Sequence, residues 1–176
     1  LKVFSRCGIQ ALVRQQFQVA RRILSKGLMP ILSFDVDMDK VEKDQCEHIM
    51  VDVMLSELRA LPASCEIIFQ LSIPERPNLY LPLSGHPRTL QLVALSGRRS
   101  QAASCKALAE NKGMIAGFGS AFLENLDENM TREDFDRTLD ESCERLCRAS
   151  TPLSQREWQI ARVSLQDGFF AALDQR

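Results

Sequence analysis

Four short apolar runs alternate with stretches of helical periodicity along this chain. The runs span residues 28–36, 65–72, 90–96 and 114–118. Ahead of the first, Ile9, Leu12, Val13, Phe17, Ala20, Ile23 and Leu24 recur at helical spacing, and Gly27 supplies a stop. A second helix is expected from about Val41 to Ala60, ending before Pro62, with Ile49, Met50, Val53, Met54 and Leu58 inside. A third covers residues 100–111 and closes at Gly113. Thr131 opens a last one, with Glu133 and Asp134 in its first turn and Arg145 and Arg148 near its end, as the helix dipole favours. Its expected core stripe is Phe135, Leu139, Leu146 and Cys147. Strands alternating with helices in this way imply βα units and a parallel sheet. The near-continuous apolarity of residues 28–36 fits a strand buried on both faces, beginning at Pro30. An open doubly wound sheet and a (β/α)₈ barrel both satisfy the pattern. No Gly-x-Gly-x-x-Gly turn follows any strand, which removes the usual dinucleotide fingerprint.

Gln70 interrupts the second run. A full amide in the middle of Cys65-Glu-Ile-Ile-Phe-Gln-Leu-Ser-Ile-Pro74 is unusual for a strand core and points to a position facing a cavity.

The chain has 176 residues and a net charge of −1, so no bulk electrostatic term draws it to nucleic acid or to a membrane. No apolar run reaches the ~20 residues needed to span a bilayer. No signal-peptide pattern stands at its start, and Leu1 in place of Met points to a fragment or a processed start. The six cysteines and two histidines have no metal-ligand spacing, so reduced structural thiols, no metal and a cytoplasmic location are expected. Cys143 and Cys147, four apart, suit a buried helical stripe.

Several segments, in order, carry a family resemblance: Gln-Gln-Phe-Gln-Val-Ala (15–20), Lys-Gly-Leu-Met-Pro-Ile (26–31), Ile-Pro-Glu-Arg-Pro-Asn-Leu-Tyr (73–80), Ala-Leu-Ser-Gly (94–97) and Gly-Met-Ile-Ala (113–116). Over residues 9–150 the chain resembles the bacterial type of class I fructose-bisphosphate aldolase. That resemblance implies a (β/α)₈ TIM barrel, here incomplete, and cleavage of fructose 1,6-bisphosphate through a lysine Schiff base. It implies no cofactor. Residues 2–4, 30–36, 65–72, 90–96 and 114–118 would be barrel strands four to eight. Residues 168–175 resemble the family's first strand, and Ser154–Gln166 its N-terminal helix. The expected division is therefore 1–150, the C-terminal portion of a barrel, and 151–176, a linker helix and strand resembling the family's N-terminus. Strands two and three have no counterpart.

The same map assigns the site. Gln70 stands where the family has its Schiff-base lysine, and Ser33 where it has an acid/base glutamate, followed by Phe34 and Asp35. Lys2 matches a second active-site lysine, against the plain reading of a solvated lysine at a chain end. Phe4 replaces an arginine. Asp174 matches the strand-one aspartate, or is an ordinary charged residue at a strand end. Ser96 and Gly97 match a phosphate-binding turn, beside Arg98 and Arg99 in place of Gly-Tyr. Gly117 and Gly119 keep the backbone after strand eight permissive, and Ser120 replaces the phosphate-gripping arginine. His86, in a Gly-His-Pro turn, and Trp158 read as structural.

An amide nitrogen is a poor nucleophile, so Gln70 cannot form the iminium that such cleavage needs. The expectation is an aldolase relative that does not turn over. The alternative is a non-catalytic pseudoenzyme that binds a sugar phosphate or forms oligomers. Unpaired barrel edges would favour self-association.

Overall fold

Ser5 begins the first helix by accepting a hydrogen bond from the Gly8 N–H at 3.2 Å. The computed structural model describes residues 5–36 and 42–152; Lys2, Phe4, Trp158, Asp174 and the segment 168–175 lie outside them. Helix α1 (Arg6–Leu24) ends ahead of Gly27, whose φ of 73° is the left-handed conformation that glycine adopts without a Cβ penalty. Its buried face is Ile9, Val13, Phe17 and Ala20. Leu12 was expected on that stripe but is 40% exposed, because it lies one position off the face that meets helix α2.

Strand β1 (Ile31–Phe34) follows, then α2 (Lys43–Arg59), β2 (Ile67–Ser72), the short α3 (Leu81–Ser84), β3 (Thr89–Leu95), α4 (Gln101–Ala109), β4 (Met114–Ala116), the one-turn α5 (Ser120–Leu123) and α6 (Arg132–Ala149). The strands form one parallel sheet in the order β1-β2-β3-β4. This is an α/β fold built from successive βα units.

Register decides which side chains share a face. Leu32, Phe69, Leu92 and Met114 are neighbours across the sheet, and Phe34, Leu71 and Ala94 form the next row on the same side. All of these are buried with the helix residues, and the Phe17 and Phe69 rings meet at 6.0 Å between centroids. Each such side chain contributes about 1.5–3 kcal/mol on burial, so this face holds most of the hydrophobic stabilisation.

The opposite face differs. Ile31 is 60% exposed, Ser33 is exposed, and Ile68, Gln70, Gln91, Val93 and Ile115 are half-buried. The expectation that β1 is buried on both faces therefore fails. The helices among the described residues pack against one side only, so the strand alternates exposed and buried along its length.

Thr131 caps α6 as expected, accepting from the Asp134 N–H at 3.2 Å. The expected stripe of that helix is displaced. Ser142 and Ala149 are its buried residues, Leu146 packs partly against the core, Phe135 is 39% exposed, and Cys143 and Cys147 are exposed. The two thiols do not form a buried stripe, because α6 meets α4, α5 and β4 along the Ser142–Ala149 line. All six cysteines are free.

Candidate functional site

The polar residues singled out from sequence gather on the uncovered face and at the C-terminal ends of the strands. Ser33 is the register neighbour of Gln70, and Gln70 that of Val93, which in turn lies beside Ile115. These side chains form a row across the sheet. Gln70 is half-buried and Ser33 exposed, so the amide faces away from the helix-packed core. Phe34 points the other way and is buried, 5% exposed, so it contributes packing rather than chemistry.

Two residues beyond that row, Ser72 joins β1 to β2. Its hydroxyl donates to Asp35 Oδ1 at 2.6 Å and accepts from the Val36 N–H at 2.9 Å. Asp35 is exposed and held at the strand end by this bond. Ser72 carried no sequence signal beyond lying in an apolar run.

Behind the end of β2 lies a buried ion pair that sequence reasoning missed. Lys43 Nζ is 2.9 Å from Glu47 Oε1, with side chains 1% and 0% exposed. Lys43 Nζ also donates to the Ile73 carbonyl at 2.7 Å, and Glu47 Oε2 accepts from the Glu75 N–H at 2.9 Å. The pair thus fixes the chain where it leaves β2. Burial pushes the Glu47 carboxyl above its ordinary range, against the opposing pull of the Glu75 N–H and of Lys43. The neighbouring Tyr80 phenol, 1% exposed, is pushed well up by burial and by the Glu47 charge. In sequence, Lys43 and Glu47 form an ordinary i, i+4 pair, which usually lies in solvent. Only their placement against residues 73–75 reveals the role.

The turn after β3 contains Ser96, buried at 4%, and Gly97, whose φ of 63° places it in the left-handed region. Helix α4 begins just beyond, but two N–H groups of its start are already engaged. Ser100 Oγ accepts from Ala103 at 3.3 Å, and the Glu124 carboxylate accepts from Gln101. The reading of this turn as one with free N–H groups for phosphate is narrowed accordingly. Gln101, 2% exposed, further ties the region together: its amide nitrogen donates to the Ala121 carbonyl at 3.2 Å and its oxygen accepts from Arg145 at 3.1 Å.

After β4, Gly117 is needed for space. A Cβ there would lie 2.2 Å from Val93 Cγ1, so the Gly117 backbone packs directly on the row that carries Gln70. Gly119 is exposed, with φ −84° and ψ −82°. Ser120 is exposed in the first turn of α5. His86 serves structure: its Nδ1 accepts from the Arg88 N–H at 3.2 Å, and burial, with Arg88 and Arg59 nearby, lowers its pKa. Among the described residues no cluster of three or more His, Cys, Asp or Glu side chains could hold a metal ion, and no helix is long and apolar enough to cross a membrane.

No family model matches the chain. A curated protein from Synechocystis sp., named fructose-bisphosphate aldolase class 1, is 41% identical over 143 residues. A second of the same name, from Clostridium acetobutylicum, is 36% identical over 143 residues. Each alignment covers 81% of this chain and 48% of the relative. Over 81% of its length the chain is homologous to proteins named fructose-bisphosphate aldolase class 1. It spans about half the length of the curated relatives it matches. The aldolase resemblance drawn from the motif segments of residues 15–116 is thereby shown, and the fold described for this chain is a four-strand parallel sheet backed by helices.

Proposed function

We propose that this chain is an aldolase-derived (β/α)₈ barrel segment that has kept its packing and lost Schiff-base chemistry. One observation carries the reading. Gln70 occupies the central row of the face that the described helices leave open, and no described residue on that face supplies an amine. Its neighbour at the Ser33 station is a hydroxyl, which cannot serve as a carboxylate acid/base near neutral pH. Lys43 does not substitute for the missing lysine. It is sealed behind β2 and bound to Glu47 and the Ile73 carbonyl.

On this reading β1 to β4 correspond to barrel strands five to eight, and the uncovered face corresponds to the barrel interior. The Ser33–Gln70 row, Asp35, the Ser96–Gly97 turn and the Gly119–Ser120 turn then mark the former active-site end, since barrel chemistry lies at the C-terminal ends of the strands. Lys2 and Asp174 retain their proposed correspondence to the family's second lysine and its strand-one aspartate.

The test is reductive trapping. The chain is incubated with dihydroxyacetone phosphate and borohydride, and intact and peptide masses are recorded. No adduct is expected; a reduced adduct on any lysine overturns the proposal. A second reading, non-catalytic sugar-phosphate binding, draws support from the left-handed Gly97 turn beside the turn after β4. Calorimetric titration with fructose 1,6-bisphosphate decides it: saturable heat without an adduct supports the binding role, and no heat removes it.

A further inference from the structure

Helix α1, at one end of the sheet, and the segment that forms α6, at the other, carry opposite charge. Helix α1 packs beside β1 and α2 at one end. Residues 5–29 contain Arg6, Arg14, Arg21, Arg22 and Lys26 and no acidic residue. Apolar side chains lie exposed among these charges. Leu12 and Val19, two helical turns apart on one strip of α1, are 40% and 44% exposed, and Leu28, between α1 and β1, is 64% exposed. Arg21 and, at longer range, Arg14 reach inward to Glu57, while Arg22 and Lys26 are exposed.

Helix α6 and the loop before it stand at the other end, against β4, α4 and α5. Residues 124–149 contain nine acidic residues (Glu124, Asp127, Glu128, Glu133, Asp134, Asp136, Asp140, Glu141 and Glu144) against four arginines, of which Arg145 and Arg148 lie at the far end of α6, paired with Glu141 and Glu144. Here an open groove of about 750 Å³ has an apolar floor that includes Leu123, Met130 and Phe135, with Asp127, Glu128 and Asp136 on its walls against one cation, Arg132, which lies 3.8 Å from Asp136. Leu123 is 55% exposed and Phe135 39%. The local −5 balance sits within a chain whose net charge is only −1, so the charge is segregated and not merely scattered.

We infer that this acidic apolar groove is a docking site for the basic α1 face of a second copy of the chain. The partner surface must be apolar and basic, and among the described residues the α1/β1 end has both properties. Pairing of like ends is disfavoured, because it would oppose two cationic helices or two acidic ones. The two surfaces stand at opposite ends of each copy, so the contact is heterologous and links copies head to tail into a ring or an open chain. The contact uses helix faces and not strand pairing at β4. The outer edge of β4 is already engaged, since the Met114 carbonyl accepts from the Thr151 N–H at 3.0 Å and the Ala116 N–H donates to Ser150 Oγ at 2.9 Å. The inference goes beyond the proposed function and holds with or without sugar-phosphate binding.

The experiment is sedimentation of the full chain over a concentration series, at low salt and at roughly 1 M salt, where the Debye length falls to about 3 Å. Self-association that weakens by about tenfold or more at high salt is expected, as for a contact aligned by charge. Two charge-reversed variants sharpen it. Glu128→Lys/Asp136→Lys changes the groove, and Arg22→Glu/Lys26→Glu changes the α1 face. Each alone should sediment as a monomer, and an equimolar mixture should associate, because each reversed surface then finds an opposite one. A chain that stays monomeric at low salt overturns the inference, as does association that survives in either variant alone. So does a mixture that fails to associate while both variants keep the parent's cooperative melting.

Discussion

Lys43 and Glu47 form a 2.9 Å ion pair with almost no solvent access, and between them they hold the Ile73 carbonyl and the Glu75 N–H. Removing one partner strands a buried charge, so Lys43→Met should destabilise the fold by about 3–5 kcal/mol. Replacing both, as Lys43→Met/Glu47→Leu, strands no charge but leaves the Ile73 carbonyl and the Glu75 N–H without these partners, so it should cost less than the single change and still fall below the parent. Chemical denaturation of the three proteins measures the difference.

The same carboxyl has a pH signature. Burial raises the folded-state pKa of Glu47 above its ordinary 4.5, so the folded chain binds the proton more tightly than the unfolded one. Its contribution to stability is fully present below pH 4.5 and is lost as pH rises through the raised value. Against Glu47→Gln, the parent should therefore lose ground as pH rises across that window. Paired denaturation curves at several pH values check the sign.

On the proposed reading, Gln70→Lys places an amine at the Schiff-base station but leaves Ser33 beside it. Loss of one member of a concerted catalytic set costs about 10⁴–10⁶ in rate, so no turnover of fructose 1,6-bisphosphate above background is expected from this single change. A coupled assay for triose phosphate release tests it, and robust turnover would show that the remaining stations suffice.

Gly117→Ala places a methyl group against Val93, since its Cβ would lie 2.2 Å from Val93 Cγ1. The overpacking should cost about 1–3 kcal/mol. Val93→Ala in the same chain should recover part of that loss, which a double-mutant cycle by thermal or chemical melting resolves.

Thr131→Ala removes the side-chain acceptor of the Asp134 N–H. The expected loss is about 0.5–2 kcal/mol, read from denaturant midpoints.

Much of the fold was legible along the chain because helices and buried strands leave periodic marks. The apolar runs around Leu32, Phe69, Leu92 and Met114 became β1 to β4, and Thr131 became the cap of α6. The faces of α1 and α6 were less legible. Leu12, Phe135, Cys143 and Cys147 match a helical stripe, yet each is exposed, because the direction from which a helix is approached depends on its neighbours and not on its own spacing. The buried Lys43–Glu47 pair and the Ser72–Asp35 bond were invisible, since each joins segments about thirty or more residues apart or depends on one that does.

What the amino-acid sequence determined by itself is the order of βα units, the aldolase kinship and the presence of an amide at position 70. These are local or cumulative properties, written in side-chain period and in residue identity. What only the tertiary structure decided is where that amide stands. The parallel register sets Gln70 beside Ser33 and Val93 on the face the described helices leave open, and brings Lys43 and Glu47 behind the end of the same strand. The physical reason is that register and helix docking are fixed by long-range burial, which no single stretch of the chain encodes.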